Sequence, residues 1–419
     1  MTPLRFCMIT TFYPPRSFGG DAVAVQSLAR ALVRAGHHVT VVCDDDAYRT
    51  LSGRRDAAPA EMEDGVVVHR LASRLGAIAV GLTQQTGRPI VHGHALRRIL
   101  ERGRFDVIHY HNLSLVGGPA ALAIGRGVKL YTAHEHWLVC PTHVLWRHRL
   151  EPCPGRECIR CQLKYRRPPQ LWRHTGLLEN ELHHVNAFIA LSRFSRDKHR
   201  EFGFAREMDV IPGFVRDPGA PAVRPLGSDE RPYFLFVGRL ESLKGLDDVI
   251  DAFASFEEAD LVIAGEGGER GALAARAAGN PRVRFLGFQS GDTLAELYSG
   301  AQAVIASSLG YETFGLSVIE AYSRGVPVIA RRRGTYLELV EGSGAGDTFA
   351  DALELQDVMR RIIADPARRA AMGSAAYDRF RSTYSEDAVV PQYLALVDRF
   401  LPHVTRAPSL PERDTPVHA

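Results

Sequence analysis

Residues 303–324 read AVIASSLGYETFGLSVIEAYSR, and the reading of this stretch decides the fold. Ala303, Val304, Ile305 and Ala306 form a short apolar run, the pattern of a strand covered on both faces of a parallel sheet. A small and polar loop follows. The pattern then restarts at Phe314-Gly315 as a helix with Leu316, Ile319 and Tyr322 on one face. The first turn of such a helix has unpaired N–H groups and a positive dipole end, so it accommodates an anionic oxygen or a hydroxyl. Glu312 lies in the loop and Glu320 about two turns into the helix, too far apart to share one proton. These carboxylates are suited to accept hydrogen bonds from hydroxyls on two different parts of one long ligand.

The alternation of short apolar strands and helices continues on both sides. Upstream, strands are predicted at 233–237, 260–264 and 283–286, with helices near 246–256, 270–278 and 293–298. Downstream come a strand at 326–330 and helices at 355–363, 367–380 and 388–401. The first half repeats the theme: a strand at 4–11, a loop ending in Gly19-Gly20, and a helix capped by Asp21 with Val25, Leu28, Ala29 and Leu32 on one face. Gly36 stops that helix, and a strand at 38–43 completes a Rossmann-type β-α-β unit. Further strands are predicted at 106–111, 128–132, 187–191 and 209–212. Gly117-Gly118-Pro119 opens a small-residue helix, 171–185 reads as one helix, and Ser192 or Ser195 caps the next.

A chain of 419 residues is too long for one core and suits two domains. The expected division is 1–216 for the first domain, 217–232 for a Pro- and Gly-rich linker, and 233–385 for the second. A crossover helix at 386–403 and a disordered polar tail at 404–419 follow. Net charge is only +3, and no basic run interleaved with aromatics marks a nucleic-acid partner. The N-terminus has a short apolar run followed by Pro-Pro instead of a small-residue cleavage site, and no stretch reaches the ~18–20 apolar residues that span a bilayer. The expectation is a cytoplasmic protein.

Glu312-x7-Glu320 around Phe-Gly-Leu resembles the signature of the retaining GT-B glycosyltransferases of family four. The segment from Phe234 to Gly245, FLFVGRLESLKG, resembles that family's strand-turn element, and both occur in the expected order. The resemblance implies two Rossmann-like domains facing across a cleft, with the C-terminal helix crossing back to the first. It also implies a reaction: transfer of a hexosyl unit from a nucleotide-diphosphate sugar, UDP- or GDP-linked, to a hydroxyl acceptor, with no metal in catalysis. By the same resemblance Glu320 holds the nucleotide ribose, and Glu312 contacts the donor sugar together with the amides of Phe314, Gly315 and Leu316. Arg239 and Lys244 clamp the diphosphate, and Gly19-Gly20 faces it across the cleft. Lysine occurs only four times in the chain, which argues against a mere solubilising role for Lys244.

His134, in Thr132-Ala-His134-Glu135, matches the family's histidine near the reaction centre; on residue physics alone a satisfied core histidine is the other reading. Glu266, in Gly265-Glu266-Gly267 at a strand's carboxyl end, is placed for the nucleotide or the interdomain hinge, with a plain turn as the equal alternative. After Ile211-Pro212 the family usually has Asn-Gly-Val-Asp, whereas this chain has Gly213-Phe-Val-Arg-Asp217, and no contact is assigned there. Arg331-Arg332-Arg333-Gly334 reads as a solvated basic loop, with added charge for the phosphate region as the other reading. Because lipid-linked acceptors are common in the family, the resemblance also implies a peripheral contact with the inner membrane face.

One segment stands outside the resemblance. Cys140, Cys153, Cys158 and Cys161 place four of the six cysteines within an insert at 138–168. In a cytosolic protein such clustering argues for a metal before disulfides, and four thiolates suit a structural zinc. Free thiols, a redox pair and an iron–sulfur site are the other readings, and His143 or His148 is able to replace a thiolate. Beside the cleft, the insert would shape the acceptor site.

Rival functions are weighed against these residues. Asp44-Asp45-Asp46 follows a strand, as does the metal-binding Asp-x-Asp of GT-A transferases, but an acidic tip there reads as a solvated loop. A nicotinamide enzyme is disfavoured, since no G-x-G-x-x-G with an acidic residue ~20 positions on follows a strand. A GT-B epimerase or donor hydrolase, and a non-catalytic sugar-nucleotide-binding subunit, keep the fold and change the activity.

Overall fold

The computed structural model describes residues 2–54, 61–155, 157–221 and 231–403. The expected linker is therefore described only at its two ends, and the expected tail at 404–419 lies outside the described residues.

The first half forms β1 (Arg5–Ile9), β2 (His38–Asp44), β3 (Met62–Glu63), β4 (Val66–Leu71), β5 (Val107–Tyr110) and β6 (Val128–Ala133). A small hairpin of β7 (Trp146–Arg147) and β8 (Glu151–Pro152) stands apart, and β9 (Ala187–Ala190) and β10 (Met208–Val210) follow. Eight of these make one sheet in the order β10-β9-β6-β5-β1-β2-β4-β3, parallel except for the antiparallel β3–β4 pair. The second half forms β11 (Tyr233–Val237), β12 (Asp260–Ala264), β13 (Val283–Gly287), β14 (Val304–Ala306), β15 (Val328–Arg331) and β16 (Gly346–Phe349). These make a parallel sheet in the order β13-β12-β11-β14-β15-β16.

Successive residues of a strand point to opposite faces, and each sheet has a hydrophobic cluster on either side. Cys7 and Ile9 join one cluster while Phe6 and Met8 join the other; Phe234 and Phe236 separate from Leu235 in the same way. The short apolar strands are thus explained by helices on both faces.

In each sheet the chain reverses its direction of winding beside the first strand, between β1 and β5 and between β11 and β14. Such switch points leave a crevice at the carboxyl ends of the strands. The segments after β1, β11 and β14 carry most of the candidate residues around the cleft.

The C-terminal helix, Glu386–Phe400, crosses back as expected. Its Val389, Val390, Tyr393, Leu396 and Val397 are buried in the cluster that holds Phe6 and Met8, each burial contributing roughly 1.5–3 kcal/mol. Tyr393 Oη lies 3.0 Å from His109 Nδ1, and Arg34–Glu386 and Arg399–Asp209 pair at 2.6 Å.

Several local expectations are corrected. The predicted helix at 171–185 is a 3-10 turn, Leu171–His174, and a short helix, Leu177–Leu182, separated by Gly176 at φ 74°. The predicted helix after Gly118 is a 3-10 turn, Pro119–Ala123. Asp21 does not cap its helix: Gly19 is the cap and Asp21 lies in the first turn. Asp44-Asp45-Asp46 is not a solvated tip but is buried: Asp44 caps the helix Asp45–Ser52 by accepting from Ala47 N, and side chains from other segments pair with Asp45 and Asp46. Arg331 is likewise buried and not solvated.

Candidate functional site

The loop after β14 and the turn after β11 meet at the switch point of the second sheet. Lys244 Nζ donates to Glu312 Oε1 at 2.7 Å, and Ser308 Oγ donates to the same oxygen at 2.7 Å. Burial alone would raise the Glu312 carboxyl, but Lys244, Ser308 and Arg239 override it and hold it below its ordinary value. Lys244, despite its own burial, is held above its ordinary value by Glu312 and Tyr336. The pair is therefore fully charged at neutral pH.

Two further contacts lock this geometry. Ser307 Oγ donates to Lys244 O at 2.7 Å, and Gly245 at φ 64° lies so close that a Cβ there would stand 2.5 Å from Ser307 O. Only glycine meets both demands. Arg331, under the loop, donates to Ser307 O at 2.8 Å and pairs with Asp248 at 2.6 Å.

Glu320 is in a different environment. Its Oε2 accepts from Tyr298 Oη at 2.6 Å, and burial raises its carboxyl above the ordinary value against the pull of Tyr298 and Arg324. The two glutamates thus stand in separate networks, one paired with a cation and one with a phenol.

Arg239 follows β11 and is exposed, paired with Glu241 at 2.8 Å. It faces the first domain: a side chain at Gly19 would come 4.0 Å from Arg239 Nε, and one at Gly20 would come 3.4 Å from Leu316. Gly19 and Gly20 therefore sit opposite the start of the helix Leu316–Ser323. That helix begins at Gly315 with no side-chain cap. Phe314 packs at the interdomain seam beside Gly213 and 6.1 Å from the Tyr384 ring. Glu266 is exposed, 3.6 Å from Arg270. Its loop folds against the Arg239 turn through Leu240 N to Glu266 O, and a Cβ on Gly265 would stand 1.9 Å from Gly238 O.

His134 comes from the end of β6. Its Nε2 lies 2.9 Å from His111 Nδ1, and the His109, His111 and His134 rings pack in series, tilted by 39° and 41°. Burial lowers all three, His109 to about 3, so the three rings are neutral at physiological pH. Asp21 acts in the other direction on His134 and accepts from Asn112 Nδ2 at 3.2 Å. Across the cleft, Thr313 Oγ1 donates to His134 O at 2.6 Å, tying this histidine to the Glu312 loop.

The structure thus brings His134, Arg239, Lys244, Glu312, Gly19, Gly20 and Gly315 to one cleft. A family model for glycosyl transferases group 1 matches residues 223–379, and one for glycosyltransferase family 4 matches 18–217. The chain belongs to the group 1 glycosyltransferases. An uncharacterized glycosyltransferase of Methanocaldococcus jannaschii is 27% identical over 381 residues, 81% of this chain and 83% of that protein. Among solved structures, sucrose-phosphate synthase of Thermosynechococcus elongatus superposes with a TM-score of 0.74 at 20% identity, covering 96% of this chain and all of that one. The HepE protein of Anabaena in complex with UDP-glucose superposes with a TM-score of 0.66 at 19% identity, covering 94% of this chain and all of that one. These neighbours share the GT-B fold.

In this glycosyltransferase several polar groups around the cleft escaped the sequence reading. Ser308, Tyr298, Thr313, His111 and Asn112 hold the reading's own candidates in place, yet none lies in a motif of its own. Only the adjacency of Ser308 and Thr313 to Glu312 was a usable signal. The acidic run after β2 is also accounted for. Asp45 pairs with Arg16 and lies 3.9 Å from Arg70, while Asp46 accepts from Ser73 Oγ at 2.7 Å and lies 3.1 Å from His92 Nε2. Among the described residues no helix is long and apolar enough to cross a membrane.

Proposed function

We propose that this glycosyltransferase is a retaining hexosyltransferase that uses a nucleotide-diphosphate sugar, UDP- or GDP-linked, and a hydroxyl acceptor, without a metal in the active site. The observation that carries the reading is the meeting of Lys244 and Glu312 with His134 through the Thr313 hydroxyl. A charged Lys244–Glu312 pair and the end of β6 that carries His134 thus line the same part of the cleft, which supports the reading. The HepE complex with UDP-glucose supports the choice of a nucleotide-sugar donor.

Breaking the anomeric bond puts negative charge on the departing diphosphate. Arg239, Lys244 and the first amides of the helix Leu316–Ser323 supply preorganised positive charge there, the role a divalent metal fills elsewhere. Glu312 accepts from the sugar hydroxyls, and Glu320 from the ribose. His134, neutral, hydrogen-bonds the sugar beside the reacting carbon. The acceptor oxygen bonds to the anomeric carbon on the face that the phosphate leaves. The departing phosphate oxygen takes the acceptor's proton, giving the glycoside and a nucleoside diphosphate with configuration retained. We place this chemistry in the cytoplasm, with a peripheral contact at the inner membrane face for a lipid-linked acceptor.

The first test is a thermal-shift screen of UDP-, GDP-, ADP- and dTDP-sugars. A donor at 100 times its dissociation constant adds about 2.7 kcal/mol of stability. The identified donor is then incubated with and without acceptor and the product's anomeric configuration read by NMR. Retained glycoside supports the proposal; an inverted product, or only free or epimerised sugar in the presence of acceptors, overturns it.

A further inference from the structure

The insert between β6 and β9 is poorly explained by its own packing. Leu150, Ile159 and Leu163 are exposed, while Leu145 and Trp146 are buried. Seven non-glycine residues among those described have positive φ, and five of them lie here: His143, Leu145, His148, Arg149 and Arg166. L residues in that region are strained and persist only when their surroundings over-determine them. A segment with three apolar side chains in solvent does not supply that constraint by itself.

Cys140, Cys153, Cys158 and Cys161 all line one small cavity, about 20 Å³, inside this segment. They come from separate pieces of chain. Cys140 follows the His136–Leu138 turn, and Cys153 follows the β7–β8 hairpin, with its N–H on Leu145 O at 2.8 Å. Cys158 and Cys161 lie at i and i+3 on one face of the helix Cys158–Lys164. No disulfide joins them. The His148 N–H donates to Cys161 Sγ at 3.4 Å, the outer-shell contact that stabilises a thiolate ligand.

We propose that Cys140, Cys153, Cys158 and Cys161 bind a Zn²⁺ ion as thiolates, and that this ion fixes the fold of the 138–168 insert beside the cleft. Each thiol loses its proton to solvent as the metal binds. In the structure Cys140 shares a hydrogen bond with Thr142 Oγ1, Cys153 donates to Gly155 O and Cys161 to Trp146 O. Binding would draw the sulfurs from these neighbours into the cavity they line, to about 2.3 Å from a tetrahedral ion. The insert touches both sides of the site. His143 Nδ1 lies 2.7 Å from Glu135, the residue after His134, and the Trp146 ring is 5.9 Å from the Arg333 guanidinium of the second domain.

The test is metal analysis of the full-length protein, free of any histidine tag, by plasma mass spectrometry with native thiol titration. About one zinc per chain is expected, with the four insert thiols released to titration only on chelation. Cys158→Ser with Cys161→Ser should abolish the zinc. His92→Ala should retain it, although Asp44, Asp46 and His92 bring ligand-type atoms within 4.8 Å of one another. If the cysteine variant fails to fold, cobalt substitution of the wild type decides, through thiolate-to-cobalt charge transfer and tetrahedral d–d bands. Metal-free protein with four freely reactive thiols, zinc lost in His92→Ala but kept in the cysteine variant, iron in place of zinc, or cobalt without thiolate bands overturns the proposal.

Discussion

Thr313 of the second domain donates its hydroxyl to the backbone carbonyl of His134 in the first, at 2.6 Å. The Ser192 hydroxyl in turn donates to Thr313 O at 2.8 Å, so this one residue is tied twice to the opposite wall. The seam therefore holds the Glu312 loop against the end of β6 that carries His134. Thr313→Val removes the hydroxyl and keeps the shape. The expected loss is about 1 kcal/mol of closed-state stabilisation, or about a fivefold rise in donor KM, with little change in melting temperature. Unchanged steady-state kinetics would show that the contact does not contribute to closure.

Lys244→Ala should lower kcat/KM for the donor by about 10²–10³-fold, the effect of removing one preorganised donor from a developing anion. It also strips Glu312 of its largest opposing influence to burial, so the carboxyl moves up and the acid limb of the pH–rate profile shifts to higher pH. A variant with wild-type kcat/KM would remove Lys244 from the active site.

Glu320 gives a pH test with a defined sign. Its carboxyl is raised by burial in the folded state, so the folded protein holds a proton that the unfolded chain has released. Its contribution therefore falls as pH rises from the ordinary glutamate range through the folded value. Glu320→Gln lacks this decline, so its melting temperature relative to wild type should increase from acid to neutral pH. Donor affinity should fall meanwhile, because the amide is a poorer acceptor for ribose hydroxyls. Parallel stability curves would contradict the raised carboxyl.

Asp44 supplies a larger effect away from the cleft. Burial raises its carboxyl from 3.8 to about 7, and its Oδ2 has no hydrogen-bond partner. Stability should decline as pH rises between those values, by up to about 4 kcal/mol at full ionisation. Asp44→Asn keeps the cap on Ala47 and should be more stable than wild type above pH ~7, converging with it below pH ~4. Urea denaturation at the two ends of that range reads the difference directly.

Arg331→Ala should destabilise the second domain by about 3 kcal/mol. It leaves Ser307 O, Ala350 O and Asp248 without their common donor under the Glu312 loop. Chemical denaturation followed by a second-domain probe measures it, and a loss under 1 kcal/mol would deny Arg331 its bracing role.

The periodicity of the chain determined the α/β class, the strands that build both switch points, the place of Glu312, Arg239 and Lys244 in the loops after strands, and that of Glu320 in the helix that follows. These follow from local pattern: apolar runs, helix starts and glycines at turns act over a few residues and are visible in order. What surrounds them was not legible. The Asp44 run looked like a wet loop because charge is the dominant local feature, and only Arg16, Arg70, Ser73 and His92, arriving from other segments, allow it to be buried. Arg331 looked solvated until Asp248 and Ser307 came to it. The link from Thr313 to His134 spans 179 residues of sequence, and no local pattern encodes it. Burial and the pairing of distant polar groups are properties of the packed chain, so tertiary structure alone decided which charges are paired, which carboxyls hold their protons, and how the two domains meet.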